Sequence, residues 1–319
     1  MKKIPSILAL LLVATFLKAQ DVDKLITEDY VRTVVSTLAA DDLKGRSAMK
    51  PENALKAADF IASQFREIGL EQLDGVTDFL QPFTAKKFPG IKMANVVGML
   101  KGKSKPDEIV VFSGHYDHIG VIKSVKSDSI ANGADDDASG TTAVIALAKY
   151  FKAMDNNERT LIFVTFSAEE LGGDGSRYFT EQVDSDKVVA MFNIEMIGKH
   201  SKWGINSMFI TGFERSDFGQ ILQRNVADTK FKFHPDPYPD QDLFYRSDNA
   251  RLAMKGVPAH SLSTDEIDKD KLYHSVNDEV ESLDIKNMTE VIRAIALGSR
   301  SIVSGKDTPT RIPPLEKRK

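Results

Sequence analysis

Hydrophobic residues follow two different spacings along this chain, one before Gly69 and another after it. From Asp29 to Gly69 they recur every three or four residues, which predicts amphipathic helices. Gly45 and Arg46 predict the turn between two such helices, and Gly69 is typical of the end of the second. The first part of the chain is therefore expected to be helical.

After Gly69, short continuous apolar runs alternate with amphipathic stretches such as residues 141–154. Runs of this length predict buried strands, and the amphipathic stretches predict helices. Continuous apolar strands that alternate with helices indicate a largely parallel sheet with helices on both of its faces. The predicted strands are residues 93–100, 108–114, 160–167, 188–194 and 207–212.

Both ends of the chain lie outside this pattern. Residues 1–19 combine Lys2 and Lys3 with an apolar run that is too short for a stable membrane anchor, which is typical of a signal peptide. We therefore expect an exported protein, periplasmic or secreted. Residues 20–304 are expected to form one domain, and residues 305–319 a polar and mobile C-terminal tail.

Composition narrows the chemistry further. The 319 residues include no cysteine, which excludes disulfides, thiolate metal sites and cysteine nucleophiles. The formal net charge is −4 and no basic patch is visible, so no nucleic-acid partner is expected. Any bound metal must therefore be held by His, Asp and Glu.

Side chains that bind metals follow three of the predicted strands. In open α/β sheets ligands bind where the strands have their carboxyl ends, so we expect these side chains to lie together. Imidazole and carboxylate donors without thiolate favour catalytic zinc, or manganese or cobalt. The candidates are His115, Asp117, Glu169, Glu170 and Glu195, together with Asp135–Asp137 before a helix and His274 near the C-terminus.

Five motifs occur in the order found in one enzyme family, namely GHYDHIG, NGADDDASG, FSAEELGGDGS, NIEMIG and YHSVNDEVE. From about Asp29 to Ser304 the chain resembles the co-catalytic zinc exopeptidases typified by secreted bacterial leucyl aminopeptidases, with glutamate carboxypeptidase II as a larger relative. The resemblance implies a three-layer α/β/α sandwich around a mostly parallel mixed sheet, and it makes residues 20–304 a zinc peptidase domain. It also implies two Zn²⁺ per chain and hydrolysis at peptide or protein N-termini.

The resemblance assigns the metal ligands. It implies that Asp136 bridges the two zinc ions. Glu170 and His274 then complete one metal site, and His115 and Glu195 complete the other. The family also implies a cis peptide bond directly after the bridging aspartate. Glu195 stands where the family often has Asp, and its longer side chain is expected to alter the geometry or affinity at that metal.

Other residues receive catalytic or supporting roles from the same resemblance. Glu169 matches the general base, and Asp117 matches the carboxylate that orients His115. Tyr273 is a candidate for the hydroxyl that stabilises the oxyanion, with Tyr245 as the other candidate. His118 is expected at the rim or behind the ligands, whereas His200, His234 and His260 are expected to be structural or solvated.

Other functions fit part of the pattern. A glutaminyl cyclase shares the implied fold but uses one zinc ion, whereas retention of both His115 and Glu195 favours two. A dipeptidase or carboxypeptidase would need a cation, such as Arg246 or Arg251, that holds a substrate carboxylate. A non-catalytic receptor-like module would have lost metal ligands, and here every matched ligand is present.

Overall fold

The continuous apolar runs of the sequence form the centre of an eight-stranded sheet. The computed structural model describes residues 22–313, so the predicted signal peptide lies outside the described residues. Four central strands, in the order β6-β3-β7-β10, are parallel to one another. They are β3 (Lys105–His115), β6 (Arg159–Phe166), β7 (Val188–Ile194) and β10 (Ala259–Ser263).

Shorter strands extend the sheet on both sides. On one side β2 and β1 pair antiparallel, and on the other β8 pairs antiparallel with β10 and parallel with β9. A separate antiparallel hairpin is formed by β4 and β5. The bounds are β1 Leu80–Thr84, β2 Lys92–Leu100, β4 Gly120–Val125, β5 Asp128–Ala131, β8 Ser207–Ile210 and β9 Lys232–Pro235. The mostly parallel mixed sheet is therefore confirmed.

Helices cover both faces of this sheet. They are α1 Glu28–Leu38, α2 Pro51–Ile68, α3 Gly140–Met154, α4 Asp174–Gln182, α5 Phe218–Asn225, α6 Asn249–Ala253 and α7 Ile285–Val303. Short 3₁₀ turns lie at Asp41–Arg46, Phe213–Arg215, Pro239–Gln241, Leu243–Tyr245 and Val280–Ser282. Among residues 22–313, no helix combines the length and the apolar character that a membrane crossing requires.

Alternate residues of the central strands enter two different cores. Phe112 packs on one face, where its ring lies 5.5 Å from that of Phe163 and 4.8 Å from that of Phe192. The neighbouring Val111 packs on the other face, in a core that includes Phe179 of α4. Because both faces are buried, the strands need apolar residues at successive positions. The three-layer α/β/α sandwich is confirmed.

The C-terminal segment differs from the expected mobile tail as far as residue 313. Ile312 is 2% exposed and packs in the second core. Its amide donates to the carbonyl of Gly256 at 3.0 Å, and Arg159 donates to the carbonyl of Asp307 at 2.7 Å. The packed chain therefore continues beyond residue 304, because this segment covers apolar surface and supplies acceptors to a buried arginine.

A buried arginine joins the N-terminal helices to the loops at the sheet edge. Arg46 has no exposed surface, and its guanidinium donates to four backbone carbonyls. Its acceptors are Leu38 at 2.6 Å, Tyr116 at 2.7 Å, Asn132 at 2.5 Å and Gly133 at 2.9 Å. One side chain therefore fixes the turn between α1 and α2 against two segments that border the candidate site.

We expect Arg46→Met to lower the free energy of unfolding by about 3–5 kcal/mol, because four buried acceptors lose their donor. The matched control is Arg32→Met, since Arg32 is exposed and its one ion pair within residues 22–313 is with Glu28 on the same helix; its effect should stay within about 0.5 kcal/mol. Urea denaturation of both variants in chelator measures the difference without a contribution from bound metal. Equal stability of the two variants would contradict the role given to Arg46.

Candidate active site

The predicted metal-binding residues converge at the carboxyl edge of the parallel strands. His115 is the last residue of β3, and Glu195 follows β7 directly. Glu169 and Glu170 lie in the loop after β6, and His274 lies in the long loop after β10. Because β3, β6 and β7 are parallel neighbours, their ends bring these side chains to one place.

Asp136 stands between two histidines in the irregular turn Ala134–Ser139 that precedes α3. Its Oδ1 lies 3.2 Å from His115 Nε2, and its Oδ2 lies 3.2 Å from His274 Nε2. Glu170 Oε1 lies 3.0 Å from the same nitrogen of His274. Each oxygen of Asp136 therefore faces a different imidazole, which is the arrangement that a bridging carboxylate needs. The peptide bond after Asp136 is cis, as the family resemblance implied.

His118 lies inside this group of side chains, deeper than the sequence suggested. It is 1% exposed, and its Nδ1 lies 3.1 Å from Glu170 Oε1 and 3.6 Å from Asp136 Oδ2. Donor atoms of His118, Asp136, Glu170 and His274 all lie within 4.8 Å of one another. Of the two expected places, the rim is therefore wrong, and His118 instead lies against the proposed ligands. Its place directly after Asp117 and three residues after His115 was the signal that could have revealed it.

The donor atoms fit a divalent cation. Within residues 22–313, His115 Nε2, Asp136 Oδ2 and both ring nitrogens of His118 make no hydrogen bond although they are buried. Buried polar atoms are normally paired, so these atoms indicate a partner of another kind. Imidazole and carboxylate donors without thiolate suit zinc in a catalytic role. Glu195 borders the same cavity as Asp136 and is held by contacts with Ser247 and Asn193.

The carboxylate of Asp117 binds a backbone amide of the site, whereas the sequence predicted that it would orient His115. Its main-chain carbonyl lies 3.0 Å from Nδ1 of His115, whereas its carboxylate Oδ1 is 3.8 Å from that nitrogen. The carboxylate instead accepts a hydrogen bond from the amide of Glu169 at 3.1 Å. The carbonyl of Asp117 therefore orients the histidine, and its carboxylate holds the loop that carries Glu169.

Two further carboxylates fix the ligand loops, namely Asp137, which was a candidate ligand in the sequence, and Asp278, which the sequence analysis did not single out. Asp137 accepts from the amides of His115 at 3.0 Å and Met196 at 3.1 Å, so it joins the ends of β3 and β7. Asp278 accepts from the amides of Asp135 at 2.9 Å and Asp136 at 3.1 Å. These contacts make the position of each ligand depend on several distant segments.

Burial and charge move the pKa values of the site in opposite directions. Burial would lower the pKa of His115, but the carboxylate of Asp136 and its neighbours raise it well above its usual value. Burial would raise the pKa of Asp136, but His115 and His274 hold it well below its usual value. Burial raises the pKa of Glu195 to about 7, and burial with nearby carboxylates raises that of Glu169 well above the normal range. A bound cation would replace the protons of the imidazoles.

A cavity of about 120 Å³ opens beside these residues. Its wall includes Asp136, Glu169 and Glu195, so one side of it is strongly acidic. Tyr273 also lines it, and its ring stacks on that of His274 with centroids 3.8 Å apart. Tyr245, the other tyrosine considered from the sequence, packs instead against the second core.

The model of a known family, described as Peptidase family M28, matches residues 95–298. A probable zinc metalloprotease of Pyrenophora tritici-repentis (strain Pt-1C-BFP) is 32% identical over 148 residues, which cover 44% of this chain and 30% of that protein. The chain therefore spans less than half of that relative. Among solved structures, an aminopeptidase from Aneurinibacillus sp. strain AM-1 has a TM-score of 0.68 at 14% identity, with 93% of this chain and 98% of that one covered. Fimbriiglobus ruber glutaminyl cyclase has a TM-score of 0.68 at 16% identity, with 86% and 94% covered. At such identities the two structures show the shared fold alone.

Proposed function

Because the chain belongs to peptidase family M28, we propose that it is an exported aminopeptidase that hydrolyses the N-terminal peptide bond of its substrates and uses two zinc ions. The family match confirms the resemblance to zinc exopeptidases that the motifs indicated. The observation that carries the proposal is Asp136, whose two carboxylate oxygens face two different histidines beside an acidic cavity.

The proposed ligand sets are those that the family resemblance implies, and the distances around Asp136 support them. Asp136 Oδ2, with Glu170 and His274, would hold one zinc ion, and His118 lies within reach of the same ion. Asp136 Oδ1, with His115 and Glu195, would hold the other. When bound, zinc supplies Lewis acidity, which polarises a carbonyl group and lowers the pKa of water.

Glu169 is placed to move the proton. It lines the cavity, its amide is held by the Asp117 carboxylate, and burial raises its pKa well above the usual range. A carboxylate with a raised pKa takes a proton from the attacking water more readily near neutral pH, and it later returns that proton to the leaving amine. Tyr273, whose pKa burial also raises, stays protonated, and we assign its hydroxyl to the oxyanion.

The charge of the cavity favours an amine over a carboxylate at the substrate end. Asp136, Glu169 and Glu195 make the wall negative, so it attracts the ammonium group of a peptide N-terminus. Arg246 lines the same cavity but is exposed, and it supports a dipeptidase as the second candidate function. Arg251 donates to the carbonyl of Gly172 and does not line the cavity.

Export rests on the sequence of the first nineteen residues. Lys2 and Lys3 precede an apolar run, as in a secretory signal peptide, and the absence of cysteine is compatible with an oxidising compartment. We therefore place the protein in the periplasm or outside the cell.

A scan of aminoacyl p-nitroanilides, with and without a strong chelator, tests the proposed function. We expect release of nitroaniline from substrates with a free α-amine, loss of that activity in chelator and its return with Zn²⁺. A zinc-loaded protein that cleaves none of these substrates would contradict the function.

Metal analysis tests the ligand sets separately. We expect about two zinc ions per chain in the wild type, since two groups of ligands share Asp136, and about one in His274→Ala. The control is His200→Ala, because His200 is exposed and pairs with Asp284 away from the cavity. Equal zinc content in the wild type and His274→Ala would contradict the assignment.

A further inference from the structure

Asp265 is a buried carboxylate in the wall of the cavity that has no partner. It is 3% exposed, and neither of its oxygens makes a hydrogen bond within residues 22–313. Ser263, Asp265 and Ile267 alternate along the chain, and all three line the cavity. The site described above does not use Asp265, whose carboxylate lies within 4.8 Å of those of Asp135 and Asp270 rather than among the proposed zinc ligands.

The nearest ammonium group is already shared by two other carboxylates. Lys199 Nζ lies 3.2 Å from Asp135 Oδ2 and 2.8 Å from Asp270 Oδ2. No lysine or arginine within residues 22–313 comes within 4.0 Å of the Asp265 carboxylate. Arg246, which also lines the cavity, is exposed and contacts Gln241. The ionised form of Asp265 would therefore carry a charge that no cation within residues 22–313 pairs with directly, although Lys199 offsets it in part at longer range.

An unpaired buried carboxylate is costly unless a ligand supplies the missing charge. Burial, together with Asp135 and Asp270, raises the pKa of Asp265 to about 8, and this shift reflects that cost. A cation in the cavity would favour the ionised form and form a charge-assisted hydrogen bond. The apolar wall beside it includes Phe209, Leu243 and Ile267, which suit the methylene groups of a long side chain.

We propose that Asp265 selects substrates whose N-terminal residue has a cationic side chain, namely lysine or arginine. This inference rests on the proposed aminopeptidase function and names its substrate class. The metal ligands and Glu169 act on the first peptide bond, while Asp265 holds the charged end of the side chain in the cavity beside them.

The test compares lysyl and norleucyl p-nitroanilides. The lysine side chain ends in a charged ammonium group, whereas the norleucine side chain is uncharged. For the wild type we expect kcat/KM to be about 10- to 100-fold higher with lysine, as for a hydrogen bond to a charged group. In Asp265→Asn this ratio should fall toward one, mainly because KM for the lysyl substrate rises. The matched control is Glu266→Gln, which removes the same charge one residue away and outside the cavity; it should keep the wild-type ratio. A wild-type ratio near one, or one that Asp265→Asn leaves unchanged, would overturn the proposal.

Binding separates this proposal from the proposed function. Calorimetry with lysinamide and norleucinamide measures the same preference in zinc-loaded protein without turnover. If no aminoacyl substrate is cleaved but lysinamide binds more tightly through Asp265, the aminopeptidase function is wrong and the selectivity stands. If both substrates are cleaved and the two amides bind equally, the selectivity is wrong and the function stands. Should Asp265→Asn fail to fold, the wild-type preference and Asp265→Glu decide, since the latter keeps the charge.

Discussion

Glu169→Gln should lower kcat by about 10²- to 10⁴-fold while the zinc content stays at the wild-type value. Glutamine has the same shape and keeps the backbone hydrogen bond from Glu169 to Asp117, but it cannot accept the proton of the attacking water. The side chain of Glu169 does not belong to the group of donor atoms around Asp136, so the metals should not depend on it. Steady-state kinetics and metal analysis of one preparation give both quantities.

Two glutamates serve as controls for this substitution. Glu170→Gln changes the adjacent residue, whose carboxylate lies 3.0 Å from His274 Nε2, and should lower zinc content as well as activity. Glu181→Gln lies on the exposed side of α4 and should alter neither. Near wild-type turnover in Glu169→Gln, or loss of metal together with activity, would show that Glu169 is not the base.

Acetylation of the substrate N-terminus should reduce kcat/KM by about 10⁴-fold, because a site built to bind a polar group strongly rejects an analogue that lacks it. The acetyl group removes both the charge that the acidic wall attracts and the lone pair that a metal can bind. Glu195 and Asp136 would then face a neutral amide. The measurement compares one peptide with both ends free, the same peptide N-acetylated, and the same peptide C-amidated.

The amidated peptide distinguishes the two candidate functions. An aminopeptidase should cleave it at nearly the rate of the free peptide, since the C-terminus lies away from the cavity. A dipeptidase that holds the substrate carboxylate through Arg246 should lose activity on amidation, and Arg246→Gln should reproduce that loss with the free peptide. If amidation blocks cleavage and acetylation does not, the substrate binds in the opposite direction and the proposed function is wrong.

The sequence predicts the centre of the sheet because a strand that is buried on both faces has apolar residues at successive positions, and such a run is visible in the local sequence. Strands β3, β6 and β7 are continuous apolar runs, and each carries a metal-binding residue directly at or after its end. Strand β10 has no such continuous apolar run. Its residues AHSLS include polar side chains whose burial depends on the neighbours β7 and β8, which are distant in sequence.

The same limit explains which site residues the sequence did not reveal. His118 and Asp265 are ordinary polar residues in sequence, and only the packing of other segments makes them buried and unpaired. The carbonyl of Asp117, not its carboxylate, meets His115, and the choice between them depends on loop conformation. Motif order therefore predicts the ligands, whereas the surroundings that tune them require the three-dimensional structure.

The contact between Asp278 and the turn at Asp135 spans 143 residues of sequence. The turn that carries Asp136 is thus completed by a segment that is synthesised 143 residues later. Long-range contacts of this kind form late in folding, because a long loop must close first. A nascent chain, or one kept unfolded for transport, would lack the assembled ligands and hence the hydrolytic centre. We expect proteolytic capacity to arise only after the segment around Asp278 has docked, which would protect the cell that makes it.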